Sequence, residues 1–353
     1  MGNNDTDVRV ISAASLLEER RKQNVEEPVP YRIGNEEREV VKRIVHGEME
    51  LLDLEEAVGE LLTTPAGLDT VIQKSVLEIE QGRERTPLLY TPIYRRRENR
   101  RFSKFVEVPS SGRTRAVFLE HLEGEEIKFG SRTIGAKDVV PIITYATGFQ
   151  WTEDMEEYDT TWEAEEANQA IGEAYNALLN HLHLYPIISY AYAAGNTTAW
   201  VAGATTYERD RATIKAALEK AALSKNAQTQ RNRRPTIVLA HSSNQFRVTE
   251  ALQRRQINGT IFEPLSNNIN TVVLYDGWSE TVGDDETVYA GTQTDRIYLI
   301  DPSRYFHELV KHDLLIDADN ADLSRLIKEQ IVARARRGVY AAPANGVDVA
   351  MLA

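Results

Sequence analysis

Three groups of side chains in this 353-residue chain have the residue types of catalysis or metal binding. His241-Ser242-Ser243 follows the apolar run Ile237–Ala240 and opens a helical pattern, where a strand-to-helix turn would offer serine to a histidine base. The surroundings, Ala240 to Asn244, are not G-x-S-x-G, and serine is also a good helix cap. His181 and His183 stand two apart on a helical pattern, about 200° around its axis, so that helix cannot aim both at one metal. Asp317, Asp319 and Asp322 are spaced like the start of a calcium loop. The sixth position is Asp322 instead of glycine and the twelfth is Lys328 instead of glutamate, so the match fails. These aspartates are expected to cap a helix beginning near Ala321.

The remaining chemistry is sparse. With no cysteine there is no disulfide, thiolate nucleophile or cysteine-ligated metal. Gly130 and Gly135 do not precede a helix, so no phosphate-cradling loop is expected, and no cofactor. Arg95–Lys104 holds six basic residues and one acid, and RNRR follows at 231–234. Without stacking aromatics or a basic domain around them, both are read as patches salt-bridged to acidic neighbours. The acidic run Gly283–Glu286 is read as a solvated turn.

Composition narrows the classes further. The chain has 41 basic and 54 acidic side chains, a net charge of −13, and 42% apolar residues. That apolar fraction supports a core and excludes wholesale disorder. No apolar run approaches the roughly 20 residues that span a bilayer. The start, MGNNDTDVRV, lacks the basic and apolar regions of a signal peptide. The acidic balance argues against a protein that grips nucleic acid over most of its surface. A soluble acidic protein without a membrane partner is expected.

The elements that position these residues follow from periodicity. Ile11–Gln23 reads as a short helix, and Pro28 and Pro30 exclude helix from the next stretch. Val40, Val41, Ile44, Leu51, Leu54, Val58, Leu61 and Leu62 recur largely at three- and four-residue steps, predicting an amphipathic helix over Glu36–Leu62. Thr64-Pro65 starts another, Ala66–Glu80. LLYT, between Pro87 and Pro92, reads as an edge strand. Arg115–Glu120 and Glu126–Phe129 alternate around Gly124, predicting a long ribbon charged on both faces, which projects toward another chain. Val139–Gly148 reads as a buried strand. Thr160–Leu184 is the clearest helix, roughly 37 Å long at 1.5 Å per residue, with Pro186 ending it. Its stripe of Ala167, Ala170, Ile171, Ala174, Leu178 and Leu182 implies a close-packed neighbour. Beyond it, helices at Tyr207–Lys225 and Ser243–Arg255 alternate with strands at Arg234–Ala240, Thr271–Tyr275 and Arg296–Ile300. Ile331–Tyr340 fits either a strand or the end of a helical period begun at Leu323.

The order of parts resembles the major capsid proteins of tailed bacteriophages, the Hong Kong ninety-seven type of shell fold shared with encapsulins. TPLLYTPIY is similar to the strand that enters that family's extended loop (E-loop), and VVPIITYATGFQWTEDM to the strand that leaves it. ANQAIGEAYNALLNHL resembles the spine helix, and RRPTIVLAHSSNQFRVTEAL the axial domain's strand–helix unit. EQIVARARRGVYAAPANGVDVAML resembles the closing strands, which makes 331–340 a strand. The likeness covers 86–353; residues 1–85 match in role only.

The resemblance implies an α+β capsid fold. Its parts are an N-terminal helical arm (1–85), a peripheral strand and basic linker (86–104), an E-loop ribbon (105–138), a peripheral domain with spine helix (139–190), an axial domain (191–315) and a C-terminal return (316–353). It implies a structural protein without enzymatic activity. Copies would assemble as hexamers and pentamers of an icosahedral shell around double-stranded DNA, held through weak inner-surface contacts. Portal, scaffolding and decoration proteins are the further partners, and the location is the virion, after synthesis in the host cytoplasm. Subunit contacts fall to Arg113, Glu125, Glu126, Lys128 and Arg132. Some members join subunits covalently from lysine to asparagine, for which Lys128 and Asn345 are the candidates. Arginine outnumbers lysine 30 to 11, which suits bidentate interface pairs. Two other readings stay open: an encapsulin-like cellular compartment, and an α/β hydrolase-like enzyme using Ser242 or Ser243.

Overall fold

The computed structural model describes residues 8–33, 36–46, 48–52, 65–109, 113–114, 132–133, 137–152, 161–224, 232–257, 260–265, 268–282, 285–302, 305–322 and 327–352. The chain runs through β1 (Arg9–Ile11), α1 (Ala13–Arg20), β2 (Val25–Ile33), β3 (Glu36–Val45), β4 (Glu48–Met49) and α2 (Pro65–Arg85). Next come β5 (Arg95–Glu98), β6 (Phe105–Pro109), β7 (Arg113–Thr114), β8 (Arg132–Thr133), β9 (Lys137–Pro141), β10 (Ile143–Thr152) and the 28-residue helix α3 (Thr161–Ile188). The second half holds β11 (Thr197–Thr198), α4 (Thr206–Leu223), β12 (Ile237–Ala240), α5 (Gln245–Leu252), β13 (Arg255–Ile257), β14 (Thr260–Phe262) and β15 (Thr271–Leu274). It closes with β16 (Gly277–Val282), β17 (Asp285–Ala290), β18 (Arg296–Ile300), β19 (Phe306–Asp322), β20 (Ile327–Ala341), α6 (Pro343–Gly346) and β21 (Val347–Met351). The fold is α+β, with helices laid on two sheets.

The first sheet has the order β1-β15-β12-β18-β21-β11. Its central strands IVLA, TVVL and RIYLI are apolar without alternation because both faces are covered. Ile214 and Ala217 of α4 and Val248, Ala251 and Leu252 of α5 pack on one face. Leu179, Leu184 and Ile187 of α3, with Leu89–Tyr94, share a core with the other. Thr205 accepts from the Glu208 amide and Glu208 reaches back to the Thr205 amide, a capping box that starts α4 where its pattern begins. Arg233 spends its guanidinium on the buried Asp348 of β21, at 2.8 and 2.7 Å. That part of RNRR is structural.

The second sheet runs β10-β20-β19-β2-β3-β4, with β5 also pairing β19. One long strand therefore takes β5 along His307–Val310 and β2 along Ile316–Ala318. Here the structure corrects several expectations. Residues 36–45 are a strand, not a helix. Val40 and Ile44 are four apart, which fits both a helical face and two strand steps, and the β-branched run Val40, Val41, Ile44, Val45 favours the strand. Residues 53–62 of the expected helix lie outside the described residues. Pro28 and Pro30 sit within β2, where only β3 pairs alongside. Asp317, Asp319 and Asp322 lie on β19 and cap no helix, and Asp317 pairs with Arg334. Residues 331–340 are strand, within β20.

The long helix was placed correctly but its buried face was not. Ala170 is exposed, and Ala167, Ala174 and Leu178 only line a cleft of about 690 Å³ against β10 and the β16–β17 hairpin. That hairpin pairs Gly277–Val282 with Asp285–Ala290, where the sequence shows only a turn. The fully covered face carries Asn168, Ile171, Tyr175, Asn176, Leu179, Asn180 and His183. Asn176 donates to the Arg83 and Thr86 carbonyls, both at 2.8 Å. Asn180 accepts from the Leu89 amide at 2.8 Å and donates to the Pro87 carbonyl at 3.0 Å. These side chains satisfy the backbone of 86–89, which explains why LLYT is not a strand. The helix also continues past Pro186 to Ile188.

Candidate functional site

Strands β6 and β9 form an antiparallel pair from Phe105↔Pro141 to Pro109↔Lys137. β7 and β8 continue the same register at Arg113↔Thr133 and Thr114↔Arg132. This is the root of the ribbon expected from the sequence. Alternation gives it two faces. Val108, Val140 and Ile142 point inward onto Leu309 and Tyr340. Phe105 and Val139 point out, 57% and 58% exposed, and Ile143 at the start of β10 is 46% exposed. The expected buried strand at 139–148 is thus two strands meeting at Ile142, with its first half half-open. Gly338 is required beneath the root, because a Cβ there would stand 2.6 Å from the Pro141 carbonyl oxygen.

The predicted contact residues divide. Arg113 and Arg132 lie on β7 and β8, one rung apart in the ladder. Glu125, Glu126 and Lys128 lie outside the described residues, as do both arms of the alternation at 115–129. Asn345 is in α6, its amide donating to the Ala342 carbonyl at 3.0 Å.

Behind the root, a buried polar network ties the sheet to α3. Arg337 of β20, 1% exposed, donates to Glu308 at 2.5 Å, to Asp313 at 2.6 Å and to the Tyr175 hydroxyl. The Tyr90 hydroxyl donates to Glu308 at 3.1 Å and the Tyr175 hydroxyl to Asp313 at 2.9 Å. Burial pushes the Glu308 carboxyl up, against the pull of Arg337. Burial would do the same to Asp313, but Arg83, Arg337 and Arg96 outweigh it and hold that carboxyl low. His183 stacks on Tyr90 with ring centroids 3.6 Å apart, and its Nδ1 donates to the Leu179 carbonyl at 2.6 Å. Burial lowers its pKa to about 3, so the ring is neutral. Sequence reasoning missed this network because its members come from four separate stretches of chain, 83–96, 175–183, 308–313 and Arg337.

The basic run is only partly paired. Arg96 bonds Asp313 at 3.0 Å and lies 3.5 Å from Glu98. Arg95, Arg97, Arg100 and Arg101 make no ion pair among the described residues, so the expected salt-bridged patch holds for Arg96 alone.

The serine site resolves into a cap. His241, not serine, caps the turn: its Nδ1 accepts from the Ser243 amide at 3.2 Å and lies 3.0 Å from Ser243 Oγ. Asp276 accepts from the Ser242 amide at 2.7 Å and stands 3.6 Å from His241 Nε2. The Nδ1 lone pair is thus engaged by a backbone N–H, and both serines are exposed. His181 stacks on Tyr289 at 4.5 Å. Among the described residues no group of three or more His, Asp or Glu side chains could hold a metal ion. No described helix is long and apolar enough to cross a membrane.

No protein-family model matches the chain, and no curated protein does. Solved structures similar to it include a virus-like particle from Pyrococcus furiosus, at 11% identity, TM-score 0.49, over 79% of this chain and 99% of that one. The capsid of Myoviridae phage XM1 is similar at 12% identity, TM-score 0.47, over 75% and 92%. The capsid of Ralstonia phage GP4 is similar at 11% identity, TM-score 0.48, over 74% and 87%. These are capsids and a virus-like particle, the kind of protein the sequence resembles.

Proposed function

We propose that the chain is a structural subunit that assembles with copies of itself into an icosahedral shell, the capsid of a tailed bacteriophage. The observation that carries this reading is the ribbon root. Phe105, Val139 and Ile143 form an apolar strip at 57%, 58% and 46% exposure, on the outer face of a pair that leads away from the sheet. Exposed apolar strips of this kind mark contact surfaces, and two strands alone are marginal in water. A neighbouring copy supplies the missing cover. Arg113, Glu125, Glu126, Lys128 and Arg132 would pair across that contact, each exposed pair contributing about 0–1 kcal/mol, so stability comes from many repeats around a closed shell. The division into arm, E-loop, peripheral and axial parts, the packaged double-stranded DNA, the portal, scaffolding and decoration partners, and synthesis in the host cytoplasm belong to the same proposal. Capsids and a virus-like particle, the similar structures named above, are assemblies of this kind.

Electron microscopy of the purified protein is expected to show closed particles. Deleting Thr114–Thr133 is expected to abolish them while leaving a folded subunit by circular dichroism. A discrete monomer at all concentrations, or unchanged assembly after the deletion, refutes this account. An enzyme cargo co-purifying in place of DNA would identify a cellular compartment instead.

A further inference from the structure

On the side of the second sheet turned away from α2 and α3, cations from four segments gather around one histidine. Alternation along β20 sets Ile331 and Ala333 toward the helices, so Arg336 points the other way, with Tyr340. His312 of β19 is the cross-strand partner of Arg336. On β2, Tyr31 packs toward the helices, which turns Arg32 to the His312 side. Arg100 stands in the turn after β5, and that turn is tied to β19. The Asn99 amide donates to the Val310 carbonyl at 2.9 Å and the Phe102 amide to the Asn99 carbonyl at 3.1 Å. The Lys311 ammonium closes the turn by donating to the Phe102 carbonyl at 2.7 Å.

Acid is short at this place. Glu37 pairs with Arg32, and Asp317, in register with Arg32, pairs with Arg334. Arg100, Lys311 and Arg336 make no ion pair among the described residues. Burial lowers the His312 pKa, and Arg336, Lys311, Arg100 and Arg32 lower it further. Arg100 and His312 also act on Glu37, so these groups share one field. Holding like charges together is unfavourable unless an anion joins them. The cluster is also compact: along β20 it ends at the already paired Arg334 in one direction and at Tyr340, under the ribbon root, in the other. An arginine fork offers two parallel N–H donors that match phosphate oxygens. A small patch of unmatched cations therefore fits a short, highly charged anion better than an extended polymer.

We infer that Arg100, Lys311, His312 and Arg336, with Arg32 at their edge, form a binding site for a compact multivalent phosphate oxyanion of the polyphosphate class. The site is built from one chain and goes beyond the shell reading without depending on it. An anion set among these groups reverses the field at His312. Its pKa rises, the ring takes up a proton, and binding gains from the extra cation as pH falls. The charged groups facing the ring are Arg32 on β2, Glu37 on β3, Arg100 in the turn, Lys311 on its own strand and Arg336 on β20.

The test is isothermal titration calorimetry of the full chain with inorganic tripolyphosphate at low salt. Arg100→Gln with Arg336→Gln is expected to weaken binding about tenfold. Arg254→Gln with Arg255→Gln makes the same change of net charge on exposed residues elsewhere, and should leave binding within about twofold. Should the first variant fail to fold by circular dichroism, Arg100→Gln alone decides, because it changes only an exposed turn; a loss of about threefold is expected. Between pH 8 and pH 6 the parent's affinity should gain relative to that of His312→Gln, the anion's own protonation being common to both. A parent that binds no tripolyphosphate, a site variant that binds as well as the parent, an equal loss in both double variants, or the same pH dependence with and without His312 overturns the inference. So does a short DNA duplex that binds through these residues and is not displaced by tripolyphosphate, which would make the nucleic-acid backbone the occupant. Particle formation enters none of these measurements, so the shell reading stands or falls separately.

Discussion

Replacing Gly172 by alanine tests the seam on which the two long helices meet. A Cβ at Gly172 would stand 1.9 Å from the Ile79 carbonyl oxygen and 2.7 Å from the Arg83 nitrogen. Across the seam, a Cβ at Gly82 would stand 1.9 Å from the Gln169 carbonyl oxygen. All three obstacles are backbone, so no side chain can swing aside. On helix propensity alone alanine would stabilise by about 1 kcal/mol. Against that, restoring an ordinary 3.4 Å contact requires α2 and α3 to part by 3.4 − 1.9 = 1.5 Å. A gap of that size forfeits half or more of the dispersion energy between facing atoms. The atoms at risk include Ile72, Val76 and Ile79 against Ala164 and Ile171. Overpacking typically costs about 1–3 kcal/mol, and a backbone obstacle places this site at or above the upper end, so the expected net loss is about 2–3 kcal/mol. Urea titration of the unassembled subunit, followed by tryptophan fluorescence, measures it, with a fall in Tm of roughly 5 °C expected alongside. Gly195→Ala is the control, because nothing lies within 4 Å of its Cβ, and it should shift stability by less than about 0.5 kcal/mol. If Gly172→Ala is as stable as the parent, the helices do not meet backbone to backbone and the reasoning fails.

Two further outcomes follow from buried charge. Arg233→Ala leaves the Asp348 carboxylate buried and unpaired, which should cost about 3–5 kcal/mol, whereas Arg233→Met with Asp348→Leu should recover most of the loss; a double variant no better than the single one contradicts this. His183 has a folded pKa of about 3 against an ordinary 6.5. Below pH 6.5 the unfolded chain therefore binds more protons, and stability present above that pH is lost as pH falls toward 3. His183→Phe keeps a ring against Tyr90 without the titration, so its urea midpoint should fall less between pH 6.5 and 4 than the parent's. Parallel pH profiles would dismiss His183 as the source. Asp313, held low by its arginines, should lose its own contribution only at the acid end of that range and in both proteins.

Much of this architecture is visible in the residues themselves. The short apolar runs at 237–240, 271–274 and 296–300 read as strands and are strands. The long helix follows from its alanines and leucines as far as Leu184, though not its last turn through Pro186 to Ile188. Its buried face does not follow, because Asn168, Asn176 and Asn180 read as surface residues until Glu78 meets the first and the backbone of 83–89 is laid against the other two. Likewise Val40 and Ile44 suit two periods equally, and only the pairing of β3 with β2 selects one.

Legible along the chain are the charge of −13, the two basic runs and the place of the ribbon, with the α+β class implied by the resemblance. These are properties of composition and of neighbours along the chain. Only the assembled sheets place Arg233 inside against Asp348 and turn Phe105 and Val139 outward. The physical reason is that burial and pairing belong to strands brought together from distant parts of the chain. Local periodicity sets which residues share a side, and the packed neighbour decides whether that side meets protein or water.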